Sequence, residues 1–187
     1  MTQIHAPDPG WPALFELEAT RWRAAGVEGL IDIHHIGSTA VAGLPAKPII
    51  DMLPVFSSTE RLEQARAPLE ALGYDWLGPH GLPARRYCRR DDPESGTRLF
   101  HAHCYVIGAP DIDRQLAFRD ALRGNGALRA GYSAVKGRCA ALHPGDAEGY
   151  GACKSDWIAK VEARALADAT QLRQRPAPSL SAEKDTP

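Results

Sequence analysis

The residues best suited to chemistry fall in one stretch, His35-Ile36-Gly37-Ser38-Thr39 followed by Lys47-Pro48-Ile49-Ile50-Asp51. A Gly-Ser pair directly after an apolar strand lets the backbone approach a ligand closely. Glycine supplies the conformational freedom and serine a hydroxyl. A helical turn after the pair would aim N–H groups at a phosphate. Gly37, Ser38, Thr39 and Lys47 are the phosphate-binding candidates here. Asp51 emerges from an adjacent buried strand, where a metal bridging those phosphates would sit. The alternative is a tight turn with a strand-terminal carboxylate in a capping role.

Phe100-His101-Ala102-His103-Cys104-Tyr105 alternates with period two. It places His101, His103 and Tyr105 on one face and Phe100, Ala102 and Cys104 on the other. Two histidines at this spacing can share a metal, or pair one ligand with one acid-base group. Farther on, Tyr132-x-x-x-Lys136 and Tyr150-x-x-x-Lys154 put each lysine at the edge of an apolar helical stripe. One reading is a snorkelling stem with its ammonium in water. The other has both ammonium groups on a phosphate chain held against the sheet, with Arg119 and Arg123 facing the same cleft. A solvated face is the alternative for those two arginines. Arg85, Arg86, Arg89 and Arg90 form a local basic cluster, best read as a solvated loop, with phosphate contact as the alternative.

These groups need elements to position them. The pattern predicts a helix over 11–25, with Trp11, Phe15, Ala19 and Trp22 on one stripe, and a strand from Ile31 to Ile36. Ile31, Ile33 and His35 share one side of that strand. A turn leads to a second strand, Pro48 to Val55, whose continuous apolar run suits the centre of a sheet. Ser57 or Ser58 can cap a helix from Thr59 to Leu72. The Gly-, Pro- and Arg-rich segment 78–96 has room for at most a short strand at Arg86–Arg89, before a strand over Thr97–Ile107. Helices follow at about 112–123, 127–142 and 147–170. The expected organisation is an α/β core over 1–110, a helical segment over 111–171 packed on it, and a disordered tail over 172–187.

Composition narrows the classes. The 187 residues suit one well-buried domain, and a formal net charge of −1 gives no global pull toward nucleic acid or an anionic membrane. Any phosphate site must therefore be a local arrangement. No apolar run approaches the length of a membrane span, and no signal-peptide core is evident. The four cysteines, Cys88, Cys104, Cys139 and Cys153, have no C-x-x-C spacing and read as buried free thiols rather than disulfides or zinc ligands. A cytoplasmic location is expected.

At these residues the sequence resembles the GrpB-like family, within the nucleotidyltransferase-fold superfamily. The shared pieces are Trp11-Pro12, His35 to Val41, Gly43-Leu44, Ala46 to Asp51, Leu72-Gly73-Tyr74, His101-Ala102-His103, Phe118-Arg119-Asp120, Tyr132 with Lys136, and Tyr150 with Lys154. Ala42 stands where the family usually has proline. The resemblance implies a nucleotidyltransferase-like mixed sheet flanked by helices, with a C-terminal helical segment over the site. It puts a nucleoside triphosphate on Gly37 and Ser38 and a divalent metal on Asp51. The superfamily pattern calls for two Mg²⁺ on three carboxylates. Here Leu53 stands where the second acid is expected, and His101 and His103 where the third is. Imidazoles suit transition metals better than Mg²⁺.

The expected metal is Mg²⁺ or Mn²⁺, with Zn²⁺ as the alternative, held by Asp51, His101 and His103. These three are also the catalytic candidates. Gly37, Ser38, Thr39, Lys47, Arg119, Lys136 and Lys154 are the candidates for the nucleotide. The leading expectation is metal-dependent transfer of a nucleotidyl group to a small acceptor. The alternatives are a non-catalytic nucleotide or phosphometabolite binder and a metal-dependent hydrolase. Some family members are fused to dephospho-CoA kinase, but this chain has no G-x-x-x-x-G-K-[ST] loop.

Overall fold

The computed structural model describes residues 4–174. Helix α1 (Trp11–Ala24) begins with proline in its first turn, where the missing N–H has no intrahelical role. Strand β1 (Leu30–Ile36) leads through a single 3-10 turn at Ser38–Ala40 to β2 (Ile50–Phe56). The helix expected over Thr59–Leu72 is two short ones, α2 (Thr59–Gln64) and α3 (Arg66–Ala71). Pro68 is the cause, because it cannot donate to the Gln64 carbonyl and its ring crowds that oxygen. Ser58 caps α2 by accepting from the Arg61 N–H. Next come β3 (Asp75–Trp76), β4 (Arg86–Asp91) and β5 (Arg98–Val106). Three helices complete the chain, α4 (Pro110–Gly124), α5 (Gly126–Leu142) and α6 (Ala147–Gln174). Residues 172–174 of the expected tail belong to α6, and 175–187 lie outside the described residues.

The five strands form one mixed sheet in the order β1-β2-β5-β4-β3. Only β2 and β5 run parallel, with Asp51 opposite His101. Strand β2 has neighbours on both sides, as its apolar run implied. One sheet face packs Ile33, Met52, Ala102 and Cys104 against Trp11, Phe15, Ala19 and Trp22 of α1. The other packs Leu53, Val55 and Tyr105 against Ile112 and Leu116 of α4. Period two therefore puts Asp51, His101 and His103 on the α4 side. Ile31 departs from expectation: a register irregularity between Leu30 and Asp32 takes it off the buried face, and it is exposed.

The cysteine expectation needs a correction. Cys88 and Cys104 are buried free thiols, but Cys139 and Cys153 form a disulfide joining α5 to α6. Their spacing of 14 spans a helix–turn–helix whose packing brings the two Cα atoms to 5.7 Å, which sequence spacing alone does not reveal. The cytoplasmic expectation thereby loses the support of two of its four thiols. No helix among the described residues is long and apolar enough to cross a membrane.

Candidate functional site

The site starts at Gly37. Its φ of 71° lies in the left-handed region, and a Cβ there would stand 2.3 Å from Asp51 Oδ2. Only glycine meets both demands, so the Asp51 carboxylate packs directly against the turn. The turn is braced from behind. Thr39 Oγ1 lies 3.0 Å from His35 Nε2 and donates to the Ile49 carbonyl. His35 stacks on Phe15, and burial brings its pKa down to about 4 despite the nearby Asp51. Arg119 donates to the His35 carbonyl at 3.1 Å and Arg123 to the Ala40 carbonyl at 2.9 Å. Both arginines thus clamp the ends of the turn in this structure.

On its open side the turn meets α5 and α6. A cavity of about 230 Å³ is lined by Ser38, Lys47, Asp51, Lys136, Tyr150 and Lys154 among others. Lys136 is only 4% exposed. Its ammonium donates to Ser38 Oγ at 2.9 Å and to the Pro45 carbonyl. Lys47 and Lys154 lie over the Tyr150 ring at 4.9 and 5.0 Å from its centroid. Burial and the neighbouring Lys154 pull the Lys136 pKa down to about 8, with Asp51 opposing. Lys154 is lowered by burial and by Lys47, again against Asp51. Asp51 is the one carboxylate on this cavity.

Asp51 faces both histidines. His101 Nδ1 is 3.1 Å and His103 Nε2 3.8 Å from Asp51 Oδ1. Burial pushes the Asp51 carboxyl up, but the hydrogen bonds and charges of the two histidines outweigh it and hold the pKa well below the usual range. Potential ligand atoms of the three groups lie within 4.8 Å of one another, which is metal-site spacing. Their outer partners tell against that use. Arg98 Nη1 stands 3.3 Å from His101 Nε2, and Arg85 Nη1 3.3 Å from His103 Nδ1. A guanidinium only donates, so each far nitrogen must accept and each proton sits on the nitrogen facing Asp51. A ligating imidazole needs the reverse, a lone pair toward the metal and its other N–H on an acceptor. Asp91 anchors Arg98, and the His80 carbonyl anchors Arg85. As arranged, the histidines face the carboxylate, and a metal on these three residues would require both guanidinium contacts to be remade.

Comparison with known proteins gives the family and the fold. The GrpB protein family model matches residues 1–164. The chain belongs to the GrpB family. It is 37% identical over 155 residues to UPF0157 protein YqkA of Bacillus subtilis, covering 83% of this chain and 44% of that protein. To UPF0157 protein PA4798 of Pseudomonas aeruginosa it is 37% identical over 165 residues, covering 88% and 68%. This chain thus spans less than half of the first relative's length. A crystal structure of the family's protein from Enterococcus faecalis superposes with a TM-score of 0.82 at 35% identity, covering 90% of this chain and 99% of that one. The Cid1 poly(U) polymerase with MgGTP bound matches at a TM-score of 0.54 and 13% identity, over 80% of this chain and 50% of that one. That likeness shows a nucleotidyltransferase-type fold.

Of the residues singled out from sequence, Ser38, Thr39, Lys47, Asp51, Lys136 and Lys154 line one cavity, with Gly37 and His103 on the cavity beside it. Arg119 lies behind the turn. In the basic cluster, Arg86, Arg89 and Arg90 pair with Glu63, Asp75 and Glu18. Arg98 was not among the residues singled out, although it lies three residues before His101 on β5, and Tyr150 was singled out only as the residue one turn before Lys154. That Lys47 also reaches the Tyr150 ring depends on which segments the fold brings alongside.

Proposed function

We propose that this chain binds a nucleotide or a similarly phosphorylated small molecule, its phosphates held by Ser38, Lys47, Lys136 and Lys154. The observation that carries this reading is three lysines converging on one cavity against a single carboxylate. An ammonium as buried as Lys136 is costly when its hydrogen bonds go to neutral oxygens and its other close contact is the Tyr132 ring, and burial together with Lys154 lowers its pKa. A phosphate chain would supply the missing negative charge and accept charge-assisted hydrogen bonds from all three. Asp51, held anionic by two imidazole N–H groups, would accept from a ligand hydroxyl and repel a misplaced phosphate.

A thermal-shift panel of the four nucleoside triphosphates and inorganic tripolyphosphate tests this, with and without Mg²⁺, Mn²⁺ or Zn²⁺. A stabilisation of several degrees by a nucleotide without added metal is expected, and Lys136→Met should lose it. No shift with any nucleotide or with inorganic tripolyphosphate overturns the reading.

Nucleotidyl transfer is the second reading, favoured by the fold shared with the MgGTP-bound polymerase. It requires Arg85 and Arg98 to turn away so that the histidines can reverse their tautomers. Metal-dependent pyrophosphate release, lost in Asp51→Asn, would establish it. Metal-dependent hydrolysis makes the same demand on the histidines. It predicts stoichiometric Zn²⁺, Mn²⁺ or Fe²⁺ in the purified protein.

A further inference from the structure

A second cavity of about 260 Å³ adjoins the lysine cavity. The two share Ser38, Asp51, Tyr132 and Lys154, so they form two lobes of one cleft. Their walls differ in kind. Beyond the shared residues, the second lobe is bounded by Gln115, Phe118, Ile158 and Glu162, together with His103 and the Gly37 side of the turn. Phe118 packs edge-on to Tyr132, and Ile158 belongs to the same apolar cluster. These give the lobe apolar surfaces suited to a flat ring.

Beyond the shared Asp51 and Lys154, the formal charge on its wall is that of Glu162. Glu162 is 15% exposed, and Arg114 donates to its Oε1 at 2.7 Å. The same Arg114 is also bound by Asp111, so one guanidinium serves two carboxylates. A surplus of negative charge therefore remains beside this lobe, while lysines crowd the other. Glu162 still has acceptor capacity beyond the oxygen held by Arg114. The cleft is thus polarised along its length, cationic at one end and electron-rich at the other.

We propose that this lobe receives the organic part of the phosphorylated ligand, and that this part is a nucleobase with an exocyclic amino group directed at Glu162. This rests on the phosphate reading of the lysine lobe. Adenine, cytosine and guanine each offer an amino donor and a flat ring. Uracil and hypoxanthine present a carbonyl oxygen at the equivalent edge, and its lone pairs would face a carboxylate. A site whose buried acceptor is left unpaired, or set against another acceptor, rejects the analogue more strongly than a purely apolar pocket does.

Matched pairs isolate this effect, because cytidine and uridine triphosphates share phosphates, sugar and ring size, as do adenosine and inosine triphosphates. Calorimetric titration at pH 7 would use these four nucleotides and inorganic tripolyphosphate, on wild type and Glu162→Gln, with thermal melts confirming that the variant folds. The amino-bearing member of each pair should bind at least tenfold more tightly. That ratio should fall to about twofold in the variant, which accepts less strongly but keeps the shape. Equal affinity within both pairs, or a preference for the carbonyl-bearing member, overturns the assignment even while tripolyphosphate binds. Failure of tripolyphosphate and all four nucleotides to bind removes the phosphate reading, and this inference with it. The wild-type ratios decide the matter without the variant.

Discussion

Two charged side chains are almost equally buried on opposite sides of the sheet, and they are treated differently. On the α1 side, Glu18 is 2% exposed. It accepts from Arg21, Arg90 and the Tyr74 hydroxyl, so its charge is neutralised within the protein. On the α5–α6 side, Lys136 donates to the Ser38 hydroxyl and the Pro45 carbonyl and lies over the Tyr132 ring, with Asp51 across the cavity and no carboxylate hydrogen-bonded to it among the described residues. The first arrangement is complete and specifies how α1 docks. The second is incomplete by one anion, and an incompleteness of that kind marks a binding site rather than a structural bridge.

Removing Glu18 is the most severe test of this contrast. Glu18→Gln leaves two arginines without their counter-charge and should cost about 3–5 kcal/mol in urea unfolding. Lys136→Met exchanges a buried ammonium for an apolar chain of similar length. Its loss of stability should be at least about 2 kcal/mol smaller, because burying the charge was itself unfavourable. Similar losses for both would sink the distinction.

The lysine face depends on a covalent tether that the α1 face does not use. Replacing both Cys139 and Cys153 by serine frees a loop of 14 residues and should lower stability by about 3 kcal/mol on chain-entropy grounds. Hydrogen exchange should quicken in α5 and α6 while α1 and β2 keep their protection relative to global unfolding. Uniform loss of protection would contradict that division.

Gly37→Ala strains the left-handed backbone and drives a methyl group into Asp51. We expect a loss of about 1–3 kcal/mol, read by thermal melting, together with loss of the nucleotide-induced shift. Full retention of both would mean that the turn is not held as described.

The smallest effects concern pH, and the two faces should respond in different ranges. With its pKa brought down to about 8, Lys136 loses charge as pH rises past 8, so phosphate affinity should fall there. The unfolded chain keeps that proton up to its ordinary lysine value. Between the two pKa values the unfolded state binds more protons, and this group alone makes the empty protein more stable as pH rises. His35 acts at the acid end, its folded pKa of about 4 lying below the ordinary 6.5. Stability from its neutral form is therefore lost as pH falls from about 6.5 toward 4. Titration of nucleotide affinity and of melting temperature over pH 4–10 separates the contributions.

Much of the site was legible because strand periodicity is a local property. The alternation of Phe100 to Tyr105 assigned His101 and His103 to one face without knowledge of their neighbours. The apolar run ending at Asp51 marked a central strand. Gly37-Ser38 announced a tight turn, and the resemblance marked Leu53 as standing where a second carboxylate was expected. Pro68 is equally local, and its effect as a breaker outweighs the helical pattern of Thr59–Leu72.

Helix-borne charges were not decidable in the same way. Lys136, Lys154, Arg119 and Arg123 carried similar signals, cations on helices after the sheet. Two of them end inside the cleft and two behind the turn, since a helix's azimuth is set by what it packs against. The Cys139–Cys153 pairing likewise depends on how α5 packs on α6, and the Arg85–His103 contact on how the loop before β4 lies against β5.

By itself, then, the sequence determined the family, the sheet's buried strands, and the clustering of a Gly-Ser turn, one aspartate and two histidines. Only the tertiary structure decided which cations face the cleft, which nitrogen of each histidine faces Asp51, and that Glu162 stands at the cleft's far end. The physical reason is range: backbone periodicity is written within a few residues. Partnership between side chains on different elements is settled only when packing brings those elements together.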